Sequence, residues 1–121
     1  MEFIYWKNSV GKSPPLEDMM KLSNADRISG VRLLKGLEMI GKYSFEQLCI
    51  AGRIEKIKNK GHSKIKLYEL RLPLHKIQAR LLLIRVLNKT YVVHFIIKKA
   101  KKLDRQDIEL AIQRGLLINN N

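Results

Sequence analysis

The 121-residue chain is poor in the residues that would staple or span. It has one cysteine, Cys49, so no intrachain disulfide and no multi-thiol zinc site can form. A single thiol with no partner points to a reducing compartment, and Cys49 reads as a small core filler. The longest mostly apolar run, Tyr91 to Ile97, is far too short to cross a bilayer. The first residues, Met1-Glu2-Phe3-Ile4-Tyr5-Trp6, have neither a basic n-region nor a small-residue cleavage site, which argues against a secretory signal. The expectation is a cytoplasmic protein with no membrane partner. His62 and His75 stand apart in polar segments and make no ligand set, so no metal site and no cofactor are predicted.

Acid is also scarce. Against 24 Lys and Arg there are 11 Asp and Glu, a net charge of +13. Residues 1–51 hold 7 basic and 6 acidic side chains, and residues 52–121 hold 17 and 5. The excess therefore belongs to the second half. A one-sided field of this kind suits a polyanion, nucleic acid above all. The competing reading is a basic face for an acidic protein.

What remains is an ordinary apolar fraction of 45%, enough for one core in one domain spanning 1–121. Glu2–Trp6 reads as a strand. Ser13-Pro14-Pro15 opens a helix to about Leu22, since proline fits a first turn whose N–H groups lack intrahelical partners. Ser23-Asn24-Ala25-Asp26 is a second start signal. The helix after it carries Ile28, Val31, Leu34 and Leu37, widened by Leu33 and Ile40, and stops at Gly41. Ser44-Phe45-Glu46-Gln47 has the capping-box pattern, and Lys56 to Lys66 reads as a basic connector.

Strands are predicted at Ile65–Leu72, closed by Pro73, at Ala79–Leu87 and at Thr90–Ile97, with Asn88-Lys89 as a hairpin turn. Asp104 caps a last helix that ends at Gly115. This order implies an α+β fold: a small antiparallel sheet, an N-terminal helical hairpin on one face and a C-terminal helix. The second sheet face is expected to be open. Alternation puts Glu69 and Arg71 on one face of their strand, and lets Arg80 and the His94/Lys98 row share it. Arg85 points the other way.

These residues carry a resemblance. Leu67-Tyr68-Glu69-Leu70-Arg71 resembles the Tyr-Glu-Leu-Arg strand of phage-derived RelE/HigB-like toxins. Ala79-Arg80-Leu81-Leu82 sits where that family has Tyr-Arg and apolar residues. His94 to Lys102 is similar to its His-Gly-Phe-x-Lys-Lys-Thr-x-Lys element, followed at the expected distance by Asp107-Ile108-Glu109-Leu110-Ala111. Gly11-Lys12-Ser13-Pro14 resembles the opening of its first helix. The chain departs from the pattern at Ala79 and Leu83, where aromatics are usual, at Phe95 in place of glycine, and at Asp104 in place of proline. Fewer aromatics mean less stacking of a base.

The resemblance implies the RelE-like fold and a ribosome-dependent mRNA endonuclease, or mRNA interferase. Such a toxin is neutralised by a cognate helix-turn-helix antitoxin and cuts by 2′-OH attack without a metal. Arg71 and Arg80 suit charge stabilisation, because guanidinium pairs bidentately with phosphate and stays charged. Lys98, Lys99 and His94 are the candidate bases. Lys58, Lys60, Lys64, Lys66, Lys101 and Lys102 are the candidate RNA contacts. Two alternatives stay open: a non-catalytic RNA- or ribosome-binding relative, and a phage interaction protein with a basic docking face. For single residues there are plainer readings too. Glu69–Arg71 would be a surface pair, His94 a half-buried structural residue, and Lys98–Lys102 a solvated connector.

Overall fold

The computed structural model describes residues 1–58, 65–98 and 102–119. The order is β1 (Phe3–Tyr5), α1 (Pro14–Ala25), α2 (Arg27–Ile40), α3 (Phe45–Ile50), β2 (Ile54–Ile57), β3 (Leu67–Pro73), β4 (Gln78–Val86), β5 (Lys89–Lys98) and α4 (Arg105–Asn119). The strands form one sheet in the order β1-β5-β4-β3-β2. All neighbours are antiparallel except β1, which runs parallel to β5, so the sheet is mixed.

The local signals mostly act as read. The Ser13 hydroxyl caps α1 by accepting from the Leu16 N–H. Ser44 and Gln47 close a reciprocal capping box on α3. The second start signal acts through a different residue. Ser23 lies inside α1 and donates to the Met19 carbonyl, while Asp26 caps α2, its carboxylate accepting from the Ser29 N–H at 3.2 Å and the Ser29 hydroxyl at 2.7 Å. Those two bonds favour the ionised form and hold the Asp26 carboxyl below its usual pKa.

The buried face of α2 also differs from the predicted one. Ile28, Val31 and Leu34 are exposed, whereas Ser29, Gly30, Leu33 and Ile40 are buried. Gly30 decides this: a Cβ there would lie 2.8 Å from the Ser23 Cα, so only glycine lets α2 approach α1 so closely.

Two further signals shift. The β4–β5 turn is Leu87-Asn88, one residue earlier than predicted, and Leu87 takes a left-handed φ of 56°. Gly115 does not end α4, which continues to Asn119. A Cβ at 115 would stand 2.0 Å from Ile84 Cδ1, so this glycine marks the close approach of helix to sheet.

Both faces of the sheet are covered, contrary to the open face expected. Helices α1, α2 and α3 pack with Leu70, Leu72, Ala79, Leu81, Leu83, Val92 and Phe95 into the larger core. On the reverse, Ala111 and Ile112 of α4 pack with Leu67, Leu82, Ile84 and Val93. A β-bulge in β5 makes Val93 the extra residue, since Leu82 faces His94 but Leu83 faces Val92. Val93 joins the α4-side core while Val92 joins the other.

Candidate functional site

The ladder between β3 and β4 sets Arg71 directly opposite Arg80, and Glu69 opposite Leu82. Two cations side by side on one face repel, and Glu69 answers both. Its carboxylate accepts from the Arg71 Nε and lies 3.8 Å from the Arg80 Nη1. Glu69 is 3% exposed and Arg80 1%, while Arg71 is 43% exposed. The hydrogen bond to Glu69, with smaller contributions from the charges of Glu69 and Glu55, raises the Arg71 pKa and keeps its guanidinium charged. Buried Arg80 therefore braces Glu69, which aims Arg71. Of the two arginines singled out from sequence, only Arg71 meets solvent.

Arg71 opens into a cleft of about 280 Å³. Its walls are Glu55, Lys56 and Ile57 from β2, Glu69 from β3, and Lys102, Leu103 and Ile108 from the approach to α4 and its first turn. A smaller hollow of about 90 Å³ adjoins it, lined by Gly52 and Arg53 with Glu55, Glu69 and Arg71. Lys58, Lys66 and Lys102 are exposed. Lys60, Lys64, Lys99 and Lys101 lie outside the described residues, as does the side chain of Lys98, whose backbone pairs with Gln78. Strand β2 and its Glu55 were missed in the sequence, where Lys56 onward was assigned to a connector. The four-residue Ile54-Glu55-Lys56-Ile57 is too short to show a period, and the β-branched residues at its ends were the available signal.

His94 does not join this cleft. Its Nε2 lies 2.9 Å from the Asp107 Oδ1 in the first turn of α4, and its side chain is 12% exposed. On the other side, the Arg114 Nη1 is 3.5 Å from His94 Nδ1 and donates to the Val93 carbonyl at 2.7 Å. Arg114 is stacked 4.8 Å from the Trp6 ring centroid, and burial lowers its pKa. His94 borders a separate hollow of about 440 Å³ with Asp18 and Lys21. It stands on β5 and Arg71 on β3, with β4 between, so two strand spacings, roughly 10 Å, part them. The first turn of α4 contributes Asp107 to the His94 hollow and Ile108 to the Arg71 cleft.

Arg85 lies on the opposite sheet face. Its guanidinium sits 4.5 Å from the Phe45 ring centroid, 3.5 Å from Glu46 and 2.9 Å from the Thr90 hydroxyl. Tyr68 packs edge-on to Phe45 at 5.0 Å. Cys49 is partly buried against the larger core, and burial raises its thiol pKa. A further hollow of about 720 Å³ beside Trp6, Tyr91 and Leu117 contains none of the sequence-predicted site residues. Among the described residues no three His, Cys, Asp or Glu side chains gather as a ligand set, and no helix is long and apolar enough to cross a membrane.

A family model described as phage derived protein Gp49-like (DUF891) matches residues 17–115. That span runs from the first turn of α1 to Gly115 in α4 and takes in the whole Arg71 cleft. No curated protein and no solved structure matches the chain.

Proposed function

The chain belongs to the phage-derived Gp49-like family, a RelE/HigB-like toxin-type family, and from this we propose that it is the toxin of a toxin–antitoxin pair, an endoribonuclease that cuts mRNA on the ribosome. One observation carries the catalytic reading. Arg71 is fixed by a buried carboxylate on an inner strand of the sheet, yet its guanidinium is exposed in a cleft walled by Lys56 and Lys102. A preorganised cation in such a place stabilises charge that develops on a phosphate. The RNA supplies the nucleophile: its 2′-oxygen attacks the adjacent phosphorus, the bond to the 5′-oxygen breaks, and a 2′,3′-cyclic phosphate is left. Arg71 binds the non-bridging oxygens. Arg80 and Glu69 are positioning residues, and Lys58, Lys66 and Lys102, with Lys60, Lys64 and Lys101, draw the backbone in. No cofactor or metal takes part in this scheme, and the inhibitory partner is a helix-turn-helix antitoxin.

A second reading is favoured by the separation of His94 from Arg71: a relative that binds RNA or ribosomes without cutting. One experiment divides the two. Purified protein is added to a translation reaction with a defined mRNA, 5′ ends are mapped, and ribosome co-sedimentation is followed as salt rises. Cuts confined to the translated region, with binding that weakens steeply in salt as counterion release requires, support the nuclease. Binding of the same salt dependence with intact mRNA establishes the second reading instead.

A further inference from the structure

We infer that Glu55 is the general base of the Arg71 cleft, a role the sequence assigned to His94, Lys98 or Lys99. The inference rests on the nuclease reading above and adds the group that takes the proton. Glu55 borders both the cleft and the hollow beside it, and Arg71 borders both with it. Its side chain is exposed, and its charge acts on Arg71 across the cleft. The other carboxylate of the cleft, Glu69, is buried and already committed to Arg71 and Arg80, so it does not meet the RNA. His94 is committed to Asp107 in a different hollow.

The register adds a second argument. Glu55 stands directly opposite Glu69 across the β2–β3 ladder. Like charges directly opposite each other destabilise a sheet, and here the Arg71 cation offsets the repulsion by facing both carboxylates. The same register sets Arg71 diagonal to Glu55, at a Cα separation of about 7–8 Å, within reach of long side chains acting on one phosphate. Base and charge stabiliser thus face one space from two paired strands, which hold their spacing more rigidly than loops would.

In the step this implies, the Glu55 carboxylate accepts the 2′-hydroxyl proton as the 2′-oxygen–phosphorus bond forms. Arg71 holds the non-bridging oxygens. The bond from phosphorus to the 5′-oxygen breaks, and that oxygen takes a proton from the Lys102 ammonium on the facing wall. Glu55 then loses its proton to solvent and Lys102 regains one. The charged groups that face Glu55 are Glu69 and Arg71 on β3, Arg53 and Lys56 beside it in sequence, and Lys102 before α4.

The test is single-turnover cleavage of ribosome-bound mRNA by the full chain, by E55Q and by E55D, across a pH series, with ribosome co-sedimentation measured for each. E55Q is expected to slow cleavage by about 100-fold or more with binding unchanged, the range a positioned base supplies. It should also abolish the fall in rate on acidification that the wild type shows, while E55D restores part of both. An E55Q protein that cuts at the wild-type rate with the wild-type pH profile overturns the assignment and leaves the nuclease reading standing. A wild-type chain that cuts no mRNA, or that cuts equally well when the 2′-hydroxyl at the scissile position is replaced by hydrogen, overturns both.

Discussion

On the face covered by α1, α2 and α3, the sheet presents mostly apolar side chains, and Arg85 there lies over Phe45 beside Glu46. On the α4 face the same strands carry Glu69, Arg71, Arg80 and His94 among Leu67, Leu82 and Ile84. The first face is organised for stability, since each fully buried aliphatic or aromatic side chain contributes about 1.5–3 kcal/mol. The second gives up some of that. A buried ion pair returns little net stability beyond what matched apolar residues would give, so its value lies in fixing where Arg71 points. The comparison teaches that a sheet can hold a charged site rigid when only one face is asked to do so.

The largest effect should come from breaking the buried pair. Arg80→Ala removes one of the two cations paired with the buried Glu69 carboxylate and leaves Arg71 as its partner, and a loss of up to about 3 kcal/mol in urea melts is expected. Replacing both partners, Glu69→Leu with Arg80→Met, should regain most of that stability while mRNA cleavage stays lost, because Arg71 no longer has its brace. Regained activity in the double variant would show that the pair does not aim Arg71.

Arg71→Ala comes next. It should lower cleavage by about 100- to 1000-fold, with a far smaller stability loss than Arg80→Ala, since this arginine is 43% exposed and Arg80 still faces Glu69. Arg85→Ala, its counterpart on the other face, should keep cleavage intact and lower the melting temperature by a few degrees through lost contacts with Phe45 and Glu46. Growth arrest on induction, paired with thermal melts, reads both. The reverse pattern would mean that the functional face is misassigned.

A smaller contrast concerns the two helix glycines. Gly30→Ala meets the Cα and Cβ of Ser23 at 2.8 and 2.9 Å, so backbone must shift. Gly115→Ala meets chiefly the Ile84 δ-methyl group, which a rotamer change can withdraw. Both fall in the overpacking range of about 1–3 kcal/mol, with Gly30→Ala the costlier. Ile84→Val should rescue Gly115→Ala in part, and no substitution at Ile84 should rescue Gly30→Ala. The smallest change should stabilise: Leu87→Gly relieves an exposed left-handed residue, and the relief of about 1–2 kcal/mol, less about 0.5–1 kcal/mol for the entropy that glycine loses on folding, leaves a net gain of roughly 0.5–1 kcal/mol.

The three long strands were legible because alternation and β-branched content survive in any window of seven or more residues, and the caps at Ser13 and Ser44 because their partners lie three residues away. The shared face of Arg71 and Arg80 follows from the same alternation once the strands are paired. Strand β2 was not legible, since four residues hold too little pattern and its pairing with β3 spans a connector of basic composition. The inward face of α2 was misread because the helix has apolar residues on two stripes. Hydrophobicity cannot choose between stripes; the close contact of Gly30 with Ser23 does.

What the sequence determined by itself is therefore local or periodic: the strands and caps, the basic second half, and the face each arginine takes along its own strand. The tertiary structure decided what depends on how far apart elements come to rest. Helix α4 lies on the sheet because Gly115 has no side chain to hold it off. Its first turn turns His94 toward Asp107 and away from Arg71. Burial converts Arg80 from a presumed phosphate ligand into a brace, and the β2–β3 register brings Glu55 to the cleft. These outcomes rest on contacts between residues far apart in the chain, whose energies depend on ångström-scale separations that composition and period do not encode.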